Sequence, residues 1–192
     1  MSKHKIAILV SGTGTNAVNI IEYFEKNSVA EVVLVISNKT DALAVEKAQN
    51  KGVKTVVFNN ESFKKNGVVL DYLMSQSVDF IVLAGFLIKI SNDIIHAYPN
   101  KIINLHPSLL PKYGGKGMYG KRVHRAVIEA QESESGISIH FVNKEYDEGA
   151  IIFQAKVSVE KGDSVEVLTK KIQKLEHRFF PKVIEQVINN SL

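Results

Sequence analysis

The sequence predicts an α/β protein: a doubly wound, mostly parallel sheet with helices on both faces, mixed C-terminal strands and a long C-terminal helix. Three observations carry this expectation. Short β-branched apolar runs alternate with amphipathic stretches of helical period. Several of those runs are apolar at consecutive positions, as strands covered on both faces require. From Gly136 onward the texture changes to alternating polarity, which marks strands of a different kind.

Strands are expected at 6–10, 32–37, 54–58, 80–84 and 101–105, with helices between them at 17–26, 42–51, 68–76 and 92–98. Gly52 is a natural stop for the second helix and Ser91 a natural N-cap for the fourth. Residues 137–142 alternate and 150–159 form another strand-like run, an antiparallel or mixed extension of the sheet. Asp163 and Glu166 form a capping-box pattern opening the last helix, whose apolar positions Val165, Leu168, Ile172, Leu175 and Phe179 keep helical spacing. Pro181 is expected to bend or restart it.

At 192 residues and 45% apolar content, the chain can bury a core without metal or disulfide staples, and one domain spanning 1–192 is expected. With no cysteine there is no disulfide framework, thiol nucleophile or thiolate metal site. The balance of 24 basic against 20 acidic residues, +4, falls short of a nucleic-acid binder. The basic start before residues 6–10 resembles a signal peptide only briefly, since the apolar run is too short. A cytoplasmic protein is expected, binding small molecules rather than nucleic acid or membrane, as a monomer or homodimer.

The first strand runs into Ser-Gly-Thr-Gly-Thr-Asn at 11–16, then a helix. Glycines there let the backbone turn tightly, and free N–H groups at a helix start suit a phosphate. A dinucleotide site wants an acid at the end of the second strand, where Ser37, Asn38 and Lys39 stand instead. NAD is therefore not expected; a monophosphate on a small substrate is. Asn104 and His106 lie at i and i+2, so both point to one side of their strand, at the end where open α/β sheets bind ligands. Pro107 and Pro111 stiffen the segment that follows.

Residues 11–16, 82–90 (Val-Leu-Ala-Gly-Phe-Leu-Ile-Lys-Ile), 103–113 (Ile-Asn-Leu-His-Pro-Ser-Leu-Leu-Pro-Lys-Tyr), 136–142, 146–155 and 173–177 together resemble the phosphoribosylglycinamide formyltransferases, of the folate-dependent formyltransferase superfamily. The resemblance covers nearly the whole chain in order. It implies the formyltransferase fold with a Rossmann-like N-terminal half. It also implies formyl transfer from 10-formyltetrahydrofolate to the amine of glycinamide ribonucleotide, in purine biosynthesis, without a metal. Residues about 1–100 would form the phosphate- and ribonucleotide-binding half, and about 101–192 the catalytic and folate-binding half.

By the same resemblance, Asn104 and a protonated His106 stabilise the oxyanion formed when the amine attacks the formyl carbonyl. An unpaired histidine titrates near ~6.5, so a carboxylate beside it is needed at pH 7, and Asp147 matches that partner. Gly14, Thr15, Asn16, Gln173 and Glu176 match the ribonucleotide contacts. Leu87, Ile88, Lys89 and Ile90 match the segment whose backbone meets the folate's pterin, and Asn104 borders the formyl group. Asn143, Lys144 and Asp147 belong to the loop closing over the pterin, and Lys65 or Lys64 fills the basic position after the third strand.

The chain departs from the pattern at 114–124, which is glycine-rich and carries Lys116, Lys121 and Arg122, a candidate phosphate-binding lid. His124 and His140 are read as structural rather than catalytic, and His4 and His96 as surface positions. The resemblance also suggests a cis Leu110–Pro111 bond. Two other readings stand beside this one: a formyltransferase acting on another amine, such as an amino-sugar nucleotide, and a noncatalytic folate- or nucleotide-binding module. Formyltransferases that act on tRNA, and the related hydrolases, carry additional domains that 192 residues are not expected to hold.

Overall fold

The computed structural model describes residues 3–65 and 67–191. The elements run β1 (His4–Val10), α1 (Thr15–Glu25), β2 (Ala30–Ser37), α2 (Leu43–Asn50), β3 (Lys54–Val57), α3 (Asn60–Lys64), α4 (Val68–Ser75), β4 (Phe80–Leu83), α5 (Asn92–Ala97), β5 (Ile102–His106), α6 (Lys121–Glu129), β6 (Glu134–Phe141), β7 (Ile151–Ser158) and α7 (Val165–Ser191).

One seven-stranded sheet takes the order β3-β2-β1-β4-β5-β6-β7. The first five strands in that order pair parallel, and β6 and β7 add antiparallel. Residues 6–10 of β1 are fully buried, and alternate residues serve opposite cores. Ile6, Ile8 and Val10 pack with α1 and α7 through Ile20, Phe24, Phe180 and Ile184. Ala7 and Leu9 pack on the other face with Phe63, Leu73 and Ile94. The consecutive apolar positions in the sequence are this double burial.

The chain leaves β1 toward β2 on one side and later returns as β4 on the other. The loops following β1 and β4 therefore part from each other, which opens a crevice at the C-terminal ends of the parallel strands. Ser11 pins that point: its hydroxyl donates to Asn38 Oδ1 at 2.6 Å and accepts from Leu87 N at 2.9 Å.

Two helices were not expected. α3 is five residues long, capped by Asn59, whose side chain accepts from Ser62 N. α6 begins inside the stretch read as a glycine-rich loop, so Lys121, Arg122 and His124 are helical. Ser164, not Asp163, caps α7, accepting from Val167 N at 3.2 Å. Asp163 instead accepts from Glu160 N and Lys171.

Nor does Pro181 interrupt α7, which is assigned continuously across it. A proline removes the donor to the carbonyl four residues earlier, here that of His177. Asn19 of α1 supplies the missing bond, its Nδ2 donating to His177 O at 3.0 Å. The Leu110–Pro111 bond is cis. The turn holding it is anchored by Ser138, which accepts from Leu110 N, donates to Ser108 O, and accepts from Gln154. No helix among the described residues is long and apolar enough to cross a membrane.

Candidate active site

A cleft of about 680 Å³ opens at the crevice, within the usual size range of small-molecule sites. Its floor is the end of β5. Asn104 and His106 stand there two residues apart and face the cleft together, as strand alternation requires.

Asp147, in the loop between β6 and β7, reaches back to both. Its Oδ2 lies 3.4 Å from His106 Nδ1 and accepts from Gly115 N at 2.9 Å. The other His106 nitrogen, Nε2, stands 2.8 Å from the Tyr113 carbonyl. Both ring nitrogens thus face oxygen acceptors, an arrangement that only the doubly protonated ring satisfies fully. Tyr113 and Asp147 both hold left-handed backbones, at φ 57° each. Non-glycine residues in that region carry strain, which here delivers the two acceptors that flank one imidazole.

Burial alone would push the Asp147 carboxyl up. The hydrogen bond from His106, the charge on His106 and the Gly115 N–H reverse that and hold it well below the usual carboxylate range. The group therefore stays ionised at neutral pH, although its side chain is only 11% exposed.

His140 is a member of this cluster that the sequence reading left out. Its Nδ1 faces the Phe141 carbonyl at 2.8 Å, so Nδ1 carries the proton and Nε2 is free to accept. Nε2 takes the Asn104 amide at 3.1 Å and lies 3.6 Å from Asp147 Oδ1. The Asn104 Nδ2 is also 3.4 Å from Asp147 Oδ1, a weak contact by length. The signal was present in the pattern: once 137–142 pairs antiparallel with β5, His140 falls directly opposite Asn104.

The glycine loop forms the opposite wall. Gly14 is the N-cap of α1 at φ 72°, and a Cβ there would stand 2.6 Å from Ala44 of α2, so only glycine fits. No acidic side chain occupies the first turn of α1 and no side chain caps it. Its N–H groups are left for a ligand. Thr15 and Asn16 line the same wall, and Asn16 Nδ2 donates to Glu176 Oε2 at 2.9 Å. Gln173 and Glu176 lie on one face of α7 and border the cleft with Thr169. Burial pushes the Glu176 carboxyl up, and the bond from Asn16 only partly opposes it.

The residues expected at the folate side divide. Leu87 lines the cleft and is 41% exposed. Ile90 is buried in the second core and Ile88 packs against it, so they reach a ligand only through backbone. Lys89 points to the β6–β7 loop, 3.8 Å from Glu145 and over the Tyr146 ring at 5.6 Å. Asn143 stabilises that loop by accepting from Glu145 N, and Lys144 is exposed on it. Lys65 caps the end of α3 and does not line the cleft. Neighbouring Phe63 packs on Phe86 of the cleft wall at 4.9 Å. His124 does line the cleft, buried at 4% exposure; burial and the charge on His106 push its pKa down to about 4.

An amide, an imidazole and a buried carboxylate gathered at the end of β5, across a cleft from the open start of α1, make a candidate group-transfer site on a doubly wound sheet. Residues 4–184 match the family described as Formyl transferase, and the chain belongs to it.

Its relatives include the phosphoribosylglycinamide formyltransferase of Haemophilus influenzae, 39% identical over 94% of this chain and 85% of the relative. The chloroplastic phosphoribosylglycinamide formyltransferase of Arabidopsis thaliana is 39% identical over 95% of this chain. The chain spans 64% of that protein, and only 19% of the chicken trifunctional purine biosynthetic protein adenosine-3. The crystal structure of glycinamide ribonucleotide transformylase 1 from Symbiobacterium toebii superposes with a TM-score of 0.89 at 32% identity, covering 98% of this chain and 89% of that one.

Proposed function

We propose that this protein transfers the formyl group of 10-formyltetrahydrofolate to the amine of glycinamide ribonucleotide. The products are formylglycinamide ribonucleotide and tetrahydrofolate, a step of purine biosynthesis carried out in the cytoplasm. The observation that carries the reading is the Asp147 carboxylate held between His106 and His140, with Asn104 beside it, in the cleft that the α1 start also faces.

The substrate amine attacks the formyl carbon, and the carbonyl oxygen becomes an oxyanion. His106, charged against Asp147 through Nδ1, turns its Nε2–H from the Tyr113 carbonyl to that oxygen. Asn104 is held to His140 by one N–H, while the other, in the long contact to Asp147, turns to the oxyanion. As the tetrahedral centre collapses, the C–N bond to folate nitrogen breaks. The proton lost by the amine reaches that nitrogen, with His106 and Asp147 as the acid–base pair. The first half of the chain supplies the phosphate loop and the second the catalytic trio, with α7 folding back to complete the ribonucleotide wall. Leu87–Ile90 would present backbone to the pterin, with Asn143–Asp147 closing over it.

The test is formyl transfer from 10-formyltetrahydrofolate, measured with glycinamide ribonucleotide and with an amino-sugar nucleotide as acceptors. Turnover with the first and none with the second is expected. Transfer to the amino sugar alone, or binding without turnover of either, would overturn the reading.

A further inference from the structure

The start of α6 is built against the usual electrostatic rule. A helix N-terminus carries partial positive charge and favours acids, yet the first turn of α6 holds Lys121 and Arg122 and no acid. Gly120, its N-cap, offers no side chain, and Arg122 N and Val123 N already donate to the Tyr119 and Gly120 carbonyls, so an anion here is met by side chains rather than by backbone. Lys116, Lys121 and Arg122 all line the cleft.

Their charges are not balanced across it. Asp147 and Glu176 are the carboxylates on the cleft wall; the first is engaged by two histidines and the second by Asn16. Lys121 has a distant partner in Glu166 at 3.7 Å, whereas Lys116 and Arg122 have no ion pair among the described residues. The Arg122 guanidinium rests on the Tyr119 ring at 4.7 Å, which holds it in place. One turn further along α6, His124 is buried at the cleft with its Nδ1 unpartnered. A buried polar atom left without a partner is costly unless a ligand or ion changes its surroundings.

We propose that the α6 start is a second anion-binding wall of the cleft, where Lys116 and Arg122 grip the phosphate of the ribonucleotide held from the other side by the loop at Gly14. This rests on the acceptor assigned above. Contacts along α7 set the scale: Lys121 meets Glu166 and Asn16 meets Glu176, ten residues and so about 15 Å apart along that helix. That is too far for both helix starts to bind one phosphate through backbone N–H groups. The long side chains at 116 and 122 do the reaching: both line the cleft that Gly14 also lines, and α6 packs on α7, the helix that carries Gln173 and Glu176.

The experiment is steady-state kinetics of the full chain, comparing wild type with Lys116→Gln and Arg122→Gln. The acceptors are glycinamide ribonucleotide and the corresponding riboside without phosphate. Each substitution is expected to raise KM for the ribonucleotide about tenfold or more, the usual scale of a lost hydrogen bond to a charged group, and to make no difference with the riboside. An equal loss with the riboside overturns the proposal, as does a loss falling on KM for the folate, which would assign the arm to its acidic tail. Calorimetric titration with inorganic phosphate reads the same wall without turnover, and both variants should bind it more weakly. Unchanged phosphate binding in both overturns the inference. A wild type that binds phosphate but ignores glycinamide ribonucleotide removes the proposed acceptor, while the titration still decides the site.

Discussion

Replacing Asp147 by Asn keeps the size of the side chain and removes its charge. In the native site, Oδ2 accepts from Gly115 N and faces His106, while Oδ1 faces His140 and Asn104. An asparagine that keeps its oxygen on the Gly115 side turns an NH2 toward Asn104, donor against donor. The larger loss is electrostatic. At 3.4 Å and an effective dielectric of about 20, the carboxylate gives a charged His106 about 5 kcal/mol of Coulombic support. Desolvation returns part of this, so the net loss should be about 3–4 kcal/mol, or about 10²–10³-fold in kcat. KM for the ribonucleotide should change little, because the side chains proposed to hold it, on α1, on α7 and at 116 and 122, do not include Asp147. Steady-state kinetics at pH 7.5, with circular dichroism to verify the fold, measure both. A variant within a few-fold of wild-type kcat would show that the carboxylate does not sustain the imidazolium.

Acidity acts in opposite senses on two buried carboxyls. Asp147 has a depressed folded pKa, so its stabilisation is present above the ordinary carboxylate range and lost as pH falls through the folded value. Asp147→Asn should therefore flatten the acid limb of a urea-melt series; an unchanged limb would refute this. Glu176 is raised, so its ionisation costs stability above about pH 4.5, and Glu176→Gln should raise Tm at neutral pH but not at pH 4. No gain at neutral pH would contradict the assignment. Asn19→Ala should cost about 1–3 kcal/mol by orphaning the His177 carbonyl. Pro181→Ala in the same chain should restore a helical donor and recover part of it, and strictly additive losses in a denaturation cycle would refute the link. Ser138→Ala should cost about 2–3 kcal/mol, since three partners lose one hydroxyl. It should also lower kcat by loosening the turn after His106, and full activity would separate the two.

The parallel strands were legible because double burial writes an unbroken apolar run, as at residues 6–10. Asn104 and His106 were legible as a strand-end pair from their spacing, but Asp147 only through motif resemblance, because nothing in sequence spacing brings a residue 41 positions further on to His106. α6 escaped notice because it lacks every local start signal: a glycine cap, two first-turn cations and a glycine-rich approach. Its Val123 and Val127, four apart and both buried, were the available clue. Pro181 read as a break because the rescue comes from Asn19, a residue 162 positions away. His140 needed the strand register, which no single-strand pattern contains.

The seam between α1 and α7 has a further implication. Asn16, Asn19, Tyr23 and Asn27 run along α1 and bond in turn to Glu176, His177 and Glu185 of α7, Tyr23 and Asn27 sharing the last. The first and last helices are laced together by polar stitches, and the end of that lacing is itself the wall proposed to hold the ribonucleotide. Fraying from the C-terminal side would undo Glu185 first and reach Glu176 later. A nicked or partly unwound molecule would lose the grip on its acceptor before the His106 cluster on β5 is disturbed. Such a molecule would keep an intact reaction centre with nothing held in front of it, so damage at this end silences the enzyme without leaving it free to act on stray amines.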